Sequence, residues 1–141
     1  MRDSEVLLDA VRFVIEHDQT VRRVEALVDS DLAAGPVAVR IEFDSVSVCV
    51  AVRAEDDTVI LSASWPPELD QQPNARIEAR TDLARLLGGT RLTWGWLMCN
   101  QQGYVDGLQL EFNGDGLPAA VCVQFIAIAS ALEVRMVSRA G

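Results

Sequence analysis

The sequence predicts an α+β fold in which an N-terminal helix and a short second helix pack on a mainly antiparallel sheet of about seven to eight strands. Three observations predict it: apolar residues at helical spacing near the start, long stretches in which apolar and polar residues alternate, and turn-forming residues between those stretches. The sheet is expected to be strongly curved and could be barrel-like. A length of 141 residues with 50% apolar residues predicts a single domain over residues 1–141.

The first half of the chain reads as one helix followed by a meander of four strands. The helix is predicted over residues 4–17, where Leu7, Val11 and Val14 recur at steps of three and four residues. His17 falls in its last turn, where the helix dipole favours partial positive charge, so we interpret it as a helix-end residue. A change of phase at Asp44 and Ser45 predicts a tight turn between two strands. The predicted strands cover 21–29, 36–43, 45–53 and 58–65.

The second half contains a loop, a helix and four more strands. Three prolines make residues 66–74 a loop, because proline cannot donate to a strand ladder. A short helix is predicted over 81–89, with Thr81 as its N-cap and Gly88 at its C-terminal cap. The remaining strands are predicted over 91–98, 106–112, 119–129 and 131–137.

Charge is concentrated in the first half. Residues 1–70 hold 15 acidic residues and 6 arginines, residues 71–141 hold 6 of each, and the net charge is −9. Every basic residue is arginine, which excludes lysine-based Schiff-base chemistry and a lysine-dependent phosphate loop. Because the chain repels phosphate groups, nucleic acids and anionic membranes are poor partners, and a basic protein is the partner that this charge would attract.

The sequence predicts no cofactor and no metal site. Cys49, Cys99 and Cys122 are far apart and odd in number, which argues against a disulfide framework and a redox pair. His17 is the only histidine, which argues against a zinc site and against a histidine-based triad. Without a secretory signal or a long apolar run, the predicted location is the cytoplasm.

The stretch "WGWLMCNQQGYVDGLQLEF" (94–112) differs most from its surroundings. Strict alternation over 91–98 places Trp94 and Trp96 side by side, on one face with Leu92 and Met98. In one interpretation both tryptophans belong to the core of the sheet or lie over it. In the other they form an aromatic wall of a pocket or an interface.

Asp106 raises a second question in the same stretch. An unbroken strand would turn both Asp106 and Tyr104 toward the apolar face, and an unpaired buried carboxylate costs several kcal/mol. A bulge at Gly107 could turn Asp106 outward. Alternatively, turn N–H groups or the amides of residues 100–102 could hold it, or it could line a polar pocket with Tyr104 beneath the tryptophans.

The pattern W-x-W followed by N-Q-Q-G-Y-x-D-G-L-Q-L-E-F, residues 94–112 here, resembles the signature of a small family of uncharacterised bacterial proteins. The resemblance extends to "IEF" and "EDD" in the first half and to "AIASALEV" near the end. It implies a compact single domain and no established activity.

The favoured function is a non-enzymatic binding or interaction module that uses the 94–107 hairpin, with a toxin-neutralising (immunity-type) protein as one instance. Its candidate binding residues are Trp94, Trp96, Asn100, Gln102, Tyr104 and Asp106. An alternative is a small enzyme or ligand pocket in which Asp106 is the base, Tyr104 the acid or oxyanion donor, and Asn100 or Gln102 holds substrate. A third alternative is a homodimer in which the hairpin is purely structural.

Overall fold

The computed structural model describes residues 3–29, 35–53, 56–65, 73–115, 119–129 and 131–138, without the side chains of 3–8, 10, 137 and 138. Two helices and nine strands are found in these ranges. In chain order they are α1 (Asp3–Glu16), β1 (Val21–Asp29), β2 (Pro36–Phe43), β3 (Ser47–Arg53), β4 (Thr58–Ser62), β5 (Ala75–Ala79), α2 (Thr81–Leu87), β6 (Arg91–Cys99), β7 (Val105–Asn113), β8 (Val121–Ile128) and β9 (Ala131–Ser138).

The strands form two separate antiparallel sheets. The first sheet has the order β4-β3-β2-β1-β5, and the second has the order β6-β7-β8-β9. The predicted α+β class is confirmed, but the prediction of one strongly curved sheet of seven to eight strands is wrong, and the described strands do not close into a barrel. Within the described ranges there is one isolated backbone bridge, which joins Thr20, just before β1, to Arg91 at the start of β6.

Strand β5 is the element that the sequence pattern missed. It pairs with β1 at the outer edge of the first sheet, and its residues are mostly exposed. Ile77 is its one large apolar side chain, between Arg76 and Glu78, so the segment carries little of the alternation that marks a half-buried strand. Strand β4 ends at Ser62, three residues earlier than predicted, and residues 66–72 of the predicted loop lie outside the described residues.

A common core joins the two sheets and both helices. Its largest fully buried side chains include Phe112 and Phe125 from the second sheet, Ile41 from the first, Val14 from α1 and Leu83 from α2. Burying such side chains contributes about 1.5–3 kcal/mol each. Strand β3 is buried on both faces: Val48, Val50 and Val52 are covered on one face, and Cys49 and Ala51 on the other.

The helix and turn predictions are largely confirmed. Val11 and Val14 are buried, while the side chain of Leu7 lies outside the described residues. His17 follows α1 directly, and its Nδ1 lies 2.9 Å from the carbonyl oxygen of Phe13 in the last turn. The turn at Asp44 and Ser45 closes with a 2.8 Å hydrogen bond from Phe43 N to the Val46 oxygen.

The predicted N-cap of the second helix is wrong by one residue. Arg80 occupies that position without a side-chain cap hydrogen bond, and Thr81 is already helical. The guanidinium of Arg80 instead pairs with Asp82 at 2.9 Å, and the Asp82 carboxylate lies at the positive end of the α2 dipole. Gly88 is the C-cap as predicted, and the positive φ belongs to the next glycine, Gly89.

Candidate binding surface on the second sheet

A β-bulge at Thr93 determines where the tryptophans point. Leu92 lies opposite Phe112 and Trp94 opposite Glu111, so Thr93 is an extra residue on β6. The Thr93 hydroxyl donates to the Glu111 backbone oxygen at 3.2 Å and accepts from Asn113 Nδ2 at 2.7 Å. The alternation therefore changes phase at this point. Leu92 enters the core, and the prediction that it shares a face with Trp94 and Trp96 is wrong.

Beyond the bulge, both tryptophans lie on the outer face of the second sheet. Trp94 is 56% exposed and Trp96 is 36% exposed, so neither is a core residue, and that half of the structural interpretation, core or a position over the sheet, is wrong. Their ring centroids are 6.3 Å apart with an angle of 65° between the planes, an edge-to-face arrangement that favours a fixed pair. Cross-strand neighbours on the same face define the surface that we call the tryptophan face: Trp94, Trp96 and Met98 on β6 with Gln109 and Glu111 on β7.

Two contacts hold the base of the tryptophan face in place. Gln124 of β8 donates to Gln109 at 2.7 Å, directly beside Trp96 in the cross-strand register. Met98 lies over Gly107, and a Cβ at Gly107 would overlap the terminal methyl group of Met98. Gly107 is therefore the residue that allows Met98 to lie flat across β7.

A groove runs between α1 and β6, with Trp94 as one wall. Its lining consists of Val11, Arg12, Ile15, Glu16, Trp94 and Gly95, and its volume is about 360 Å³. Helix α1 approaches β6 closely at Gly95, where a Cβ would meet Val11 Cγ1 at 3.0 Å and Leu110 Cδ2 at 3.3 Å. The lining is mainly apolar, and its two charged residues, Arg12 and Glu16, are exposed. We call it the α1–β6 groove.

The turn between β6 and β7 is organised by Asn100. Its Oδ1 accepts hydrogen bonds from Gln102 N at 2.9 Å and from Tyr104 N at 3.1 Å, while its backbone N donates to the Tyr104 oxygen at 2.9 Å. Gly103 supplies the positive φ, +86°, that the turn requires. The side chains of Gln102 and Tyr104 are exposed. Asn100 thus has a structural role in the hairpin.

Asp106 lies in a second bulge. Met98 is opposite Gly107 and Cys99 is opposite Val105, which leaves Asp106 as the extra residue on β7. Its side chain is partly exposed and has no hydrogen-bond partner among the described residues. The bulge is the alternative that the structure adopts, although it falls on Asp106 itself and not on Gly107. Among the described residues no hydrogen bond joins Asp106 to Asn100, whose amide oxygen accepts from two N–H groups of the turn.

The six predicted site residues therefore divide into two groups. Trp94 and Trp96 stand together on the tryptophan face, whereas Asn100, Gln102, Tyr104 and Asp106 form the turn and its bulge. None of these four polar residues is among the lining residues of the α1–β6 groove.

In the described ranges, no group of three or more His, Cys, Asp or Glu side chains is placed to hold a metal ion. Burial raises the pKa of the Cys49 thiol to about 12, which keeps that thiol protonated and poorly nucleophilic. Cys122 is buried as well, and Cys99 is exposed at the end of β6. In the described part of the chain, no helix is long and apolar enough to cross a bilayer.

Sequence patterns did not identify the residues of α1 that line the groove. Val11 and Ile15 occupy apolar positions of the predicted amphipathic helix, and their spacing gives no sign of a groove. Gly95 between two tryptophans was the one available signal, because a glycine inside a strand often marks a close approach. The element that packs against Gly95 is α1, which is distant from it in sequence, and local periodicity does not indicate such a contact.

Together, the fold and the surface define a class: a small acidic α+β protein of two packed antiparallel sheets, with an exposed pair of tryptophans beside a groove. The chain belongs to DUF6334, a family of unknown function, whose model matches residues 2–141. This match confirms the resemblance to an uncharacterised family. No curated protein and no solved structure matches the chain.

Proposed function

We propose that this protein is a non-enzymatic binding module and that its contact surface is the tryptophan face with the adjacent hairpin. The single observation that carries the proposal is the exposure of Trp94 and Trp96 side by side on a sheet. Tryptophan is among the residues that contribute most to protein interfaces, because it buries a large area and keeps a polar N–H. Two exposed tryptophans leave a large apolar area in contact with water, and burying that area in the core would have stabilised the fold.

The rigidity of the surface supports the same function. Both tryptophans stand on a strand, after a bulge that Thr93 and Asn113 fix, and they contact one another. Beside Trp96, Gln109 and Gln124 are joined by a hydrogen bond. A surface that is ordered before binding loses less conformational entropy when a partner arrives.

Charge favours a basic partner. The net charge of −9 attracts a cationic protein over long distances and repels a second copy of the chain. A toxin-neutralising module of the immunity type would fit these requirements, since it needs a complementary surface and no catalytic group. Location in the cytoplasm, where such a module would act, is part of this proposal.

Alanine substitution of the tryptophans tests the proposal. The double variant Trp94→Ala/Trp96→Ala is compared with Ile77→Ala, which removes another exposed apolar side chain, 47% exposed, from β5 of the first sheet. Partners are captured from a lysate of the native organism on purified protein, and each variant is melted to check its fold. The double variant should lose the partner with a melting temperature close to that of the unmodified protein, while Ile77→Ala should retain it.

Two results would contradict the proposal. If the double variant captured the same partner as the unmodified protein, the tryptophan face would not be the contact surface. If the double substitution lowered the melting temperature by much more than Ile77→Ala does, the tryptophans would be structural.

A further inference from the structure

We propose that the α1–β6 groove receives an arginine side chain of a basic protein partner. This inference rests on the proposed function and gives the partner a chemical class. The groove adjoins the tryptophan face through Trp94, so a partner seated on that face can reach it. Its volume, about 360 Å³, lies at the low end of the range for ligand pockets, of about 300–1,000 Å³, which suits a single long side chain.

The walls of the groove match the stem of an arginine. Val11 is buried and Ile15 partly buried on α1, and Trp94 and Gly95 line the groove from β6. Apolar walls of this kind pack against the methylene groups of a long cationic side chain while its charged head stays at the rim.

Two groups of the groove, the Trp94 indole and the Glu16 carboxylate, can interact with the charged guanidinium of an arginine. The indole of Trp94 offers a π-face, on which a guanidinium stacks favourably. Glu16 lines the same groove and has no hydrogen-bond or ion-pair partner among the described residues, so its carboxylate is available. Arginine combines both interactions, since its planar fork can stack on the ring and also donate to a carboxylate.

The charges that face the groove favour a cation over an anion. Arg12 is the one cationic group of the lining, and Asp9, one turn earlier on α1, lies 3.8 Å from it. Glu16 is the other charged residue of the lining. Two carboxylates of α1, Asp9 and Glu16, therefore accompany one guanidinium, in a chain whose net charge is −9. An acidic side chain would be attracted by Arg12 alone, and Arg12 already has Asp9 beside it.

Short peptides test this inference without knowledge of the natural partner. A tri-arginine peptide is titrated into the purified full chain, and binding is followed by tryptophan fluorescence and calorimetry. Its matched controls are tri-citrulline, which keeps the shape without the charge, and tri-glutamate. The arginine peptide should bind with one saturating site and should weaken as salt is added, because salt screens exposed charges.

Three variants locate the binding site. Glu16→Gln removes the carboxylate of the groove and should weaken the arginine peptide about tenfold, as expected when a charge-assisted hydrogen bond is lost. Trp94→Ala should weaken it as well. Glu78→Gln removes the same unit of charge from β5 and should leave the affinity within about twofold, because β5 is at the outer edge of the other sheet.

The outcomes separate this inference from the proposed function. The inference is overturned if citrulline or glutamate peptides bind as well as arginine, if Glu16→Gln and Glu78→Gln have equal effects, or if no peptide binds. In each of those cases the proposed function still stands, provided that Trp94→Ala/Trp96→Ala abolishes capture of the native partner. If capture survives that double substitution, the proposed function fails whatever the peptides do.

Discussion

Gly95 is the residue at which helix packing and the exposed tryptophans meet. On one side it admits Val11 of α1, and its strand neighbours project Trp94 and Trp96 to the other side. A side chain here would press on Val11 and on Leu110, both of which belong to the core. The closeness of the groove walls therefore depends on the absence of a single Cβ.

Replacement of Gly95 by valine is expected to destabilise the protein. Overpacking of a filled core costs about 1–3 kcal/mol, and for a chain of this length each kcal/mol lowers the melting temperature by about 2–8 °C. Thermal melts of Gly95→Val and of Ala79→Val, which adds bulk at an exposed position of β5, measure the difference. Equal melting temperatures in the two variants would show that α1 does not approach β6 as described.

The cysteines differ in environment and should differ in reactivity. Cys99 is exposed, whereas Cys49 and Cys122 are buried and the pKa of Cys49 is raised to about 12. A thiol reagent at mildly alkaline pH should label one cysteine rapidly in the folded protein and all three after denaturation. Mass mapping should place the rapid label on Cys99. Rapid labelling of Cys49 in the folded state would contradict the burial of β3.

At the scale of elements, the hairpin between β6 and β7 contains two polar residues with different roles: Asn100 holds the turn together, whereas Asp106 is expected to tolerate substitution. Asn100→Ala removes the acceptor of two backbone N–H groups and should lower the free energy of unfolding by about 1 kcal/mol. Asp106→Ala should change it by less than about 0.5 kcal/mol, because the carboxylate is partly exposed in a bulge and unpartnered among the described residues. Chemical denaturation of both variants gives the comparison, and the opposite order would refute this assignment of roles.

The start of α2 gives the protein an acid-sensitive contact. The hydrogen bond from Arg80 lowers the pKa of Asp82 from 3.8 to about 2. Because the folded-state pKa is the lower one, the stabilisation is complete above the ordinary value and is lost as the pH falls toward 2. Asp82→Asn should therefore lower the melting temperature at about pH 7 and have less effect at about pH 3. An effect of equal size at both pH values would exclude this ionic contribution.

Local patterns predicted the elements in which buried and exposed residues alternate regularly. They failed where a segment distant in sequence determines the conformation. The helix around Val11 and the paired strands on either side of Asp44 follow from periodicity and turn chemistry. The bulge at Thr93 does not, because the alternation from Leu92 to Met98 looks regular and the hydrogen bond that fixes the bulge comes from Asn113 on another strand. The same bulge separates both tryptophans from Leu92, with which regular alternation would place them on one face.

The division into two sheets is a property of the whole molecule that the pattern of strands could not reveal. Eight predicted strands are compatible with one curved sheet or with two packed ones, and the choice depends on which strands form edges. Strand β5 pairs with β1 and ends the first sheet on that side, while β6 begins the second sheet. The candidate surface lies on that second edge strand, and for that reason α1 can form a groove beside it.

Charge also acts at the scale of the molecule. Two copies of a chain with net charge −9 repel one another at low salt, so the homodimer that the sequence allows has to overcome this repulsion. A cationic partner has no such barrier and should associate faster at low ionic strength. The whole-molecule charge and the acidic surroundings of the α1–β6 groove thus favour the same class of partner.

Site-directed crosslinking from the edge of the tryptophan face tests the central claim most directly. The exposed Cys99 at the end of β6 accepts a maleimide carrying a photoreactive benzophenone, and the matched control carries the same group on Ile77→Cys in a Cys99→Ser background. After illumination in native lysate, the probe on Cys99 should give a discrete adduct with a basic protein, and Trp94→Ala/Trp96→Ala should abolish it. The control position should give no such adduct. The same adduct from both positions, or one that survives the loss of both tryptophans, would contradict the claim that this face is the binding surface.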